Sequence, residues 1–360
     1  MQFESVIIWL MAIGIVIGGI DRLIGNRLGL GEQFEEGFNA MGPLALGMVG
    51  IVTLAPVIAK LLGPVIIPTF VFIGADPAMF ASILANDMGG YPLAMELARD
   101  PDAGLLSGLI VSSMMGCTLV FSIPVGLGLI QASDRPYFSK GLLIGLITVP
   151  FGGIAGGLIA GFDPIMVIKN NIPVLILSAF LVTGLLFFQK GMIKGAILFG
   201  KFIVIVITIG LLTAAFQELT NVVIIPNMTP IMEAMEIIAT IAIVLLGVFP
   251  IVTLITKFLK RPLTLFGKKL GMDATAAAGI VITMANSIPV YKMMKDMEPR
   301  GKIINTAWLV PATAVLGDHL GFTAAVAPEM IKPVVLGKLA AGILAVVLAL
   351  LFTKESSYKR

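Results

Sequence analysis

The sequence predicts an all-α polytopic membrane protein with about nine spanning helices and two broken helical segments. Three observations carry that prediction. Of 360 residues, 58% are hydrophobic and 12% charged, where a soluble domain is nearer a quarter charged. The mean hydropathy is +1.04. A folded soluble chain needs more polar cover than this, which excludes a cytosolic enzyme, a secreted disulfide protein and a disordered chain. Finally, nine stretches near 5–24, 43–62, 104–131, 139–161, 172–189, 195–217, 230–257, 303–325 and 332–352 are apolar, each close to the ~20 residues a bilayer crossing needs.

Taken in order, the N-terminal run has no basic leader, carries Glu4 and lacks a small-x-small cleavage site, so a retained first span is expected rather than a signal peptide. Segments 25–42 and 218–229 are polar enough for interface or loop. The stretches 74–95 and 273–291 differ from the rest, because ILANDMGGYP breaks the first and ITMANSIPV the second. Unwound backbone at membrane depth survives only where protein or a water-filled cavity satisfies it.

Charge places these segments. Lys257, Lys260, Arg261, Lys268 and Lys269 precede the second, and Lys292, Lys295, Arg300 and Lys302 follow it. Both flanks read as cytoplasmic by the positive-inside rule. Uncharged 61–73 and acidic Glu96, Asp100 and Asp102 flank the first, which reads as external. Each segment is therefore expected to dip in and return; eleven full spans is the alternative. The N-terminus is then outside, and Lys354, Lys359 and Arg360 at the C-terminus inside.

A weak internal repeat accompanies this topology. Gly74 and Asp76 align with Gly271 and Asp273, Pro92 with Pro289, and Gly104 with Gly301, all 197 residues apart. Two membrane halves, 1–190 and 191–360, are expected to be inverted copies, an architecture that places a transport site near the midplane where the breaks meet.

Ionisable residues in the membrane are costly and mark function. Asp87 lies in LANDMGGYP beside Asn86, and Asp318 in VLGDHLGFTAA beside His319, the chain's single histidine. Tyr91 and Phe322 follow the two acids by four residues, and Phe121 adds a third aromatic. A carboxylate with an aromatic wall suits a small organic cation. Asn286 falls near the repeat position of Asp87 and offers a hydrogen bond to a polar tail. The competing reading makes the acids structural, capping an interrupted helix or neutralising Lys338. His319 is expected to orient Asp318 or take part in coupling; one histidine with no partner cysteine or histidine is a poor metal site. Glu32, Glu35 and Glu36 form either a solvated turn or, through Glu35 and Glu36, a cation-attracting vestibule. No phosphate loop, nucleophile elbow or HExxH motif is present, so no enzyme activity, cofactor or nucleic-acid partner is expected.

An ordered set of stretches runs along nearly the whole chain: GEQFEEGFNAMGPLALGMVG, LLGPVIIP, GADPAMF with LANDMGGYPLA, SGLIVSSMMGCTLVFSIPVGLG, AAAGIVITMANSIPV, MMKDMEPRGKIIN and LGDHLGF. Together they resemble the ethanolamine permeases of ethanolamine-utilisation operons, the EutH family. That resemblance implies a multi-pass protein of a bacterial inner membrane that brings in ethanolamine for degradation. Polar insertions found in some members after the fifth span and before 228 are short or absent here. A transporter of another small polar solute, coupled to H⁺ or Na⁺, and a non-transporting scaffold are the alternatives. A homodimer in the lipid bilayer is also expected.

Overall fold

A computed structural model describes residues 3–84, 87–269 and 271–353. The described residues form helices, turns and loops with no strand. Helix α1 (Phe3–Leu23) carries Asp21 in its last turn, 1% exposed. Its carboxylate accepts N–H bonds from Leu28, Leu30 and Gly31 at 2.9, 2.8 and 3.0 Å, so it closes the connecting loop. Short α2 (Gly31–Asn39) follows, then α3 (Met41–Phe72), which extends past the 43–62 expected and carries Pro56, Pro64 and Pro68 inside it.

The first broken segment comprises a turn of 3₁₀ helix at Pro77–Phe80, α4 (Ala81–Leu84), a second 3₁₀ turn at Asp87–Gly90 and α5 (Tyr91–Leu97). The chain then rises through α6 (Pro101–Leu105), a π-helical stretch at Leu106–Gly116 and Thr118–Ser122, and α7 (Ile123–Leu129). Next come α8 (Arg135–Ile159), α9 (Pro164–Phe187), α10 (Gln189–Thr220) and α11 (Ile231–Lys269). The second broken segment is α12 (Ala274–Ala285) and α13 (Ile288–Met293), followed by α14 (Pro299–Ala312), α15 (Asp318–Val326) and α16 (Ile331–Phe352).

Eight helices among the described residues are long and apolar enough to cross a bilayer. The chain is an all-α, multi-pass membrane protein. The stretch expected as a ninth span, 303–325, is divided: α14 stops at Ala312 and α15 starts at Asp318, with Ala314 at φ +51° between them. A non-glycine residue there is unusual and is held only by surrounding structure. Lys354, Lys359 and Arg360 lie outside the described residues, as do the side chains of Lys260, Arg261, Lys268 and Lys269.

Both broken segments are hairpins. Asp76 accepts the N–H of Ala78 at 2.9 Å, at the segment's start, and those of Arg99 and Asp100 at 3.1 Å, at its end. Asp273 does the same, accepting from Ala276 at 2.7 Å and from Glu298 at 2.6 Å. A carboxylate that binds both ends of a segment brings the chain back to where the segment began. Each hairpin is also stapled to the helix after it: Ser107 Oγ donates to the Ala78 carbonyl at 2.6 Å, and Asn305 Nδ2 to the Ala276 carbonyl at 2.9 Å.

Burial separates an inner wall from an outer ring. The 101–129 helix is buried almost throughout, whereas most of α1 and α10 is exposed. Exposed Trp9, Phe202 and Leu212 on α1 and α10 form part of an apolar outer surface, as a helix facing lipid requires. Inside, α8 packs along both α14 and α16. Lys302 reaches the buried Asp134 at 2.6 Å and ties the start of α8 to α14.

The outer ring is joined by two matching crossings, α1 on α11 and α10 on α3. A Cβ on Gly14 would overlap the carbonyl oxygen of Gly247, and one on Gly247 that of Met11. In the other crossing, a Cβ on Gly50 would overlap the carbonyl of Ile207, and one on Gly210 that of Gly50. Gly14 and Gly210 are 196 residues apart, and Gly50 and Gly247 are 197. Small residues let membrane helices approach to backbone contact. Substituting Val at Gly50 or Gly247 should therefore lower stability by about 1–3 kcal/mol, the usual range for overpacking. Alanine at Gly195, whose Cβ would meet open space, should leave the melting temperature in detergent unchanged.

Candidate functional site

The interruption between α14 and α15 is held by the second hairpin. Ala314 N–H donates to the Thr283 carbonyl at 3.0 Å and Leu316 N–H to the Met284 carbonyl at 2.8 Å. A Cβ on Gly317 would overlap the Ala285 carbonyl oxygen, so only glycine permits this approach. Trp308 Nε1 adds a bond to the Ile280 carbonyl at 2.9 Å. Groups freed by breaking the helix at 313–317 thus find partners on the end of α12, as unwound backbone in a membrane must.

Asp318 is the first residue of α15 and is half-buried. A carboxylate at a helix N-terminus is favoured by the peptide dipoles. That placement serves a structural cap and a ligand for a cation equally well. One turn on, Phe322 is 1% exposed and meets Tyr91 of the first hairpin edge-to-face, with centroids 6.0 Å apart. The expected aromatic partners, one from each acidic motif, therefore stand together.

Asp87 opens the 3₁₀ turn Asp87–Gly90, which packs beside the 106–116 stretch and α3. Gly89 allows this, since a Cβ there would come within 2.9 Å of Ile51 Cγ2. Asn86 and the side chain of Asp87 lie outside the described residues. Asn286 is exposed at the break between α12 and α13, and its Oδ1 accepts the Ile288 N–H at 2.9 Å. Its oxygen is engaged, so the amide N–H₂ is what it offers a hydroxyl. Phe121 is half-buried within Thr118–Ser122, and no ring pair among the described residues includes it.

His319 is 2% exposed and Lys338 wholly buried. Lys338 Nζ lies 2.8 Å from His319 Nδ1 and donates to the Ser113 carbonyl at 2.6 Å. Lys338 was expected only as a counter-charge to Asp318, yet a lone lysine inside an apolar span carries the same signal that singled out Asp318. Asn170 is a second residue whose role was hidden. Helix α9 starts at Pro164, not near 172, so Asn170 lies inside it, and its Oδ1 accepts the Asp76 N–H at 2.6 Å.

Glu35 and Glu36 are exposed on α2, with Glu35 paired to Arg22 Nε at 2.6 Å. That pair offsets part of the negative charge a vestibule would need. An open cleft of about 520 Å³ lies elsewhere, at the closed end of the first hairpin, lined by Asp76, Arg99, Asp100, Asp163, Lys169 and Asn170. Its acids are occupied with backbone, since Asp100 and Asp163 accept the N–H groups of Asp102 and Met166. At the other clasp, burial and then the Asp273 carboxylate hold Glu298 above the usual carboxylate range. Among the described residues no group of acids, cysteines and histidines could hold a metal ion.

Three comparisons bear on what this arrangement does. The profile of the family "Ethanolamine utilisation protein, EutH" matches residues 3–352. The chain is 56% identical over 347 residues to a protein of Listeria monocytogenes named probable ethanolamine permease EutH, covering 96% of this chain and 93% of that one. It is 45% identical to a protein of Salmonella typhimurium of the same name, covering 99% and 97%. That alignment spans 394 positions, more than this chain's 360 residues, so the relative carries insertions. A Bacillus subtilis protein named uncharacterized protein YxeR is 47% identical, covering 100% and 98%. No solved structure matches the chain.

The two clasps are open to test. Asp273→Ala should cost about 1–2 kcal/mol, the scale of a lost helix cap, and should speed hydrogen exchange at residues 274–298. Asp273→Asn keeps one acceptor oxygen and should fall between the variant and the wild type. Equal exchange in all three would contradict the clasp.

Proposed function

The chain belongs to the EutH ethanolamine-utilisation family, and from that premise we propose that it is a facilitator importing ethanolamine into a bacterial cell for catabolism. A primary amine is mostly a cation near neutral pH, as lysine is. The site must therefore supply an anion, a face for the ammonium and methylene groups, and one hydrogen bond for a hydroxyl.

The observation that supports this reading best is the Tyr91–Phe322 ring pair, which joins the two acidic motifs one turn beyond Asp318 at the head of α15. Asp318 holds the ammonium by charge and hydrogen bond. The ring faces add cation–π attraction. Asn286 takes the hydroxyl, and Asn86 and Asp87, the polar pair of the first acidic motif, are the further hydrogen-bond partner and second anion on this reading. Phe121 closes the wall beyond them, and His319 orients Asp318. The cell membrane in question is the cytoplasmic one, with the C-terminus inside.

The matched glycine crossings and matched carboxylate clasps support reading 1–190 and 191–360 as two inverted repeats. On that reading the hairpins and the helices stapled to them move as a block, and the outer ring of α1, α3, α10 and α11 stays in place, which alternates access to the site.

Labelled ethanolamine should enter liposomes containing the purified protein saturably, with no imposed gradient. Asp318→Asn should slow uptake by about tenfold or more, since a hydrogen bond to a charged group contributes about 1.5–3 kcal/mol. Asp87→Asn should do the same. Wild-type rates in both folded variants would place the cation site elsewhere.

A further inference from the structure

Lys338 is the single charged residue between Pro333 and Phe352 on α16, and it is 0% exposed. An ammonium so placed loses its hydration and survives only with acceptors around it. Two are supplied by different elements: the Ser113 carbonyl at 2.6 Å from the π-helical stretch, and His319 Nδ1 at 2.8 Å from α15. The i→i+5 pairing of a π-helix alters carbonyl directions relative to an α-helix, and Ser113 lies inside such a stretch. If Lys338 carries its proton, it donates to both acceptors, and His319 keeps its own proton on Nε2. The head group thus sits at a junction of α16, the 106–116 stretch and the start of α15, one residue along from Asp318.

These acceptors would hold any small ammonium or bare monovalent cation; lysine brings its own on a tether. Resting on the transport reading above, we propose that Lys338 is a tethered cation. Its ammonium fills, inside the carrier, the place that a co-transported monovalent cation would take. A free cation must bind and leave in each cycle, so its gradient drives the substrate. A tethered one travels with its helix and returns with it, so the carrier resets empty or loaded. It also keeps positive charge near Asp318 when no substrate ammonium is bound. The transporter is therefore indifferent to sodium, potassium and proton gradients because its cation cannot leave.

Two substitutions separate the head group from the stem. Lys338→Met keeps most of the stem and vacates the place of Nζ; Lys338→Ala vacates the stem as well. The melting temperature of purified Lys338→Met should rise by several degrees with ammonium, sodium or potassium chloride relative to choline chloride at equal ionic strength. Lys338→Ala should respond to n-propylammonium, which replaces the missing atoms, by several degrees more than the wild type, where that amine meets only the substrate site; sodium and potassium should leave the wild type unchanged. In liposomes, sodium or potassium chloride should speed ethanolamine uptake by Lys338→Met about tenfold relative to choline chloride and leave the wild type within about twofold. No response in either variant overturns the proposal, as does wild-type uptake that requires a sodium or proton gradient. If neither variant folds, the wild type decides: equal ethanolamine inside and out without a gradient supports the tether, and a gradient requirement overturns it. A wild type that takes up no ethanolamine removes the transport reading instead, while the melting response still reports whether the cation place exists.

Discussion

Interrupting a helix inside a membrane frees backbone groups that no water can satisfy, and this structure is organised around meeting that requirement. Asp76 and Asp273 do so at the base of each hairpin, taking N–H groups from both of its ends. Further in, Ser107 and Asn305 fasten each hairpin to the helix that follows. At the break between α14 and α15, the end of α12 accepts the N–H groups of Ala314 and Leu316. Without those partners the chain at 313–317 would close into one continuous helix, and Asp318 would lose its place at a helix N-terminus. The place of Asp318 at a helix N-terminus is thus a consequence of how the backbone is satisfied.

The same economy appears outside the site. Two crossings of the outer helices are made by glycines at backbone contact, with corresponding glycines 196 and 197 residues apart: Gly14 with Gly247, and Gly210 with Gly50. Such contacts gain dispersion energy over a long interface without polar groups, which suits helices whose other faces meet lipid. The inner wall is different in kind. It is buried nearly throughout, and its polar groups, from Asp134 and Lys302 to Ser113 and Lys338, face each other across helix boundaries. A ring held by apolar contact thus surrounds a block held by hydrogen bonds.

Much of this was legible in the sequence because composition and charge report directly on the solvent. The apolar stretches gave the helices, and the acidic and basic flanks placed both broken segments as hairpins. Asp76 and Asp273 were visible as repeat markers, but their role as clasps was not, since it depends on residues about twenty positions downstream returning to meet them. The division of 303–325 was hidden because Thr313, Ala314 and Val315 are as compatible with a helix as their neighbours; only the glycine before Asp318 hinted at it. The π-helical stretch has no pattern that distinguishes it from an α-helix. Tyr91 and Phe322 were named separately for their own acids, and their meeting is a tertiary fact that neither motif contains. Lys338 was legible only as a counter-charge to an acid, although its apolar setting is what makes a lysine informative.

The central claim is that the substrate ammonium binds where α15 begins, against the Tyr91–Phe322 pair. A structure of the purified protein with ethanolamine bound tests it most directly. The account requires the ligand within hydrogen-bond reach of Asp318, its methylene groups on the aromatic pair and its hydroxyl toward the hairpin tips. A ligand found instead in the open cleft beside Asp76, Asp163 and Lys169, with the region around Asp318 unoccupied, would contradict it.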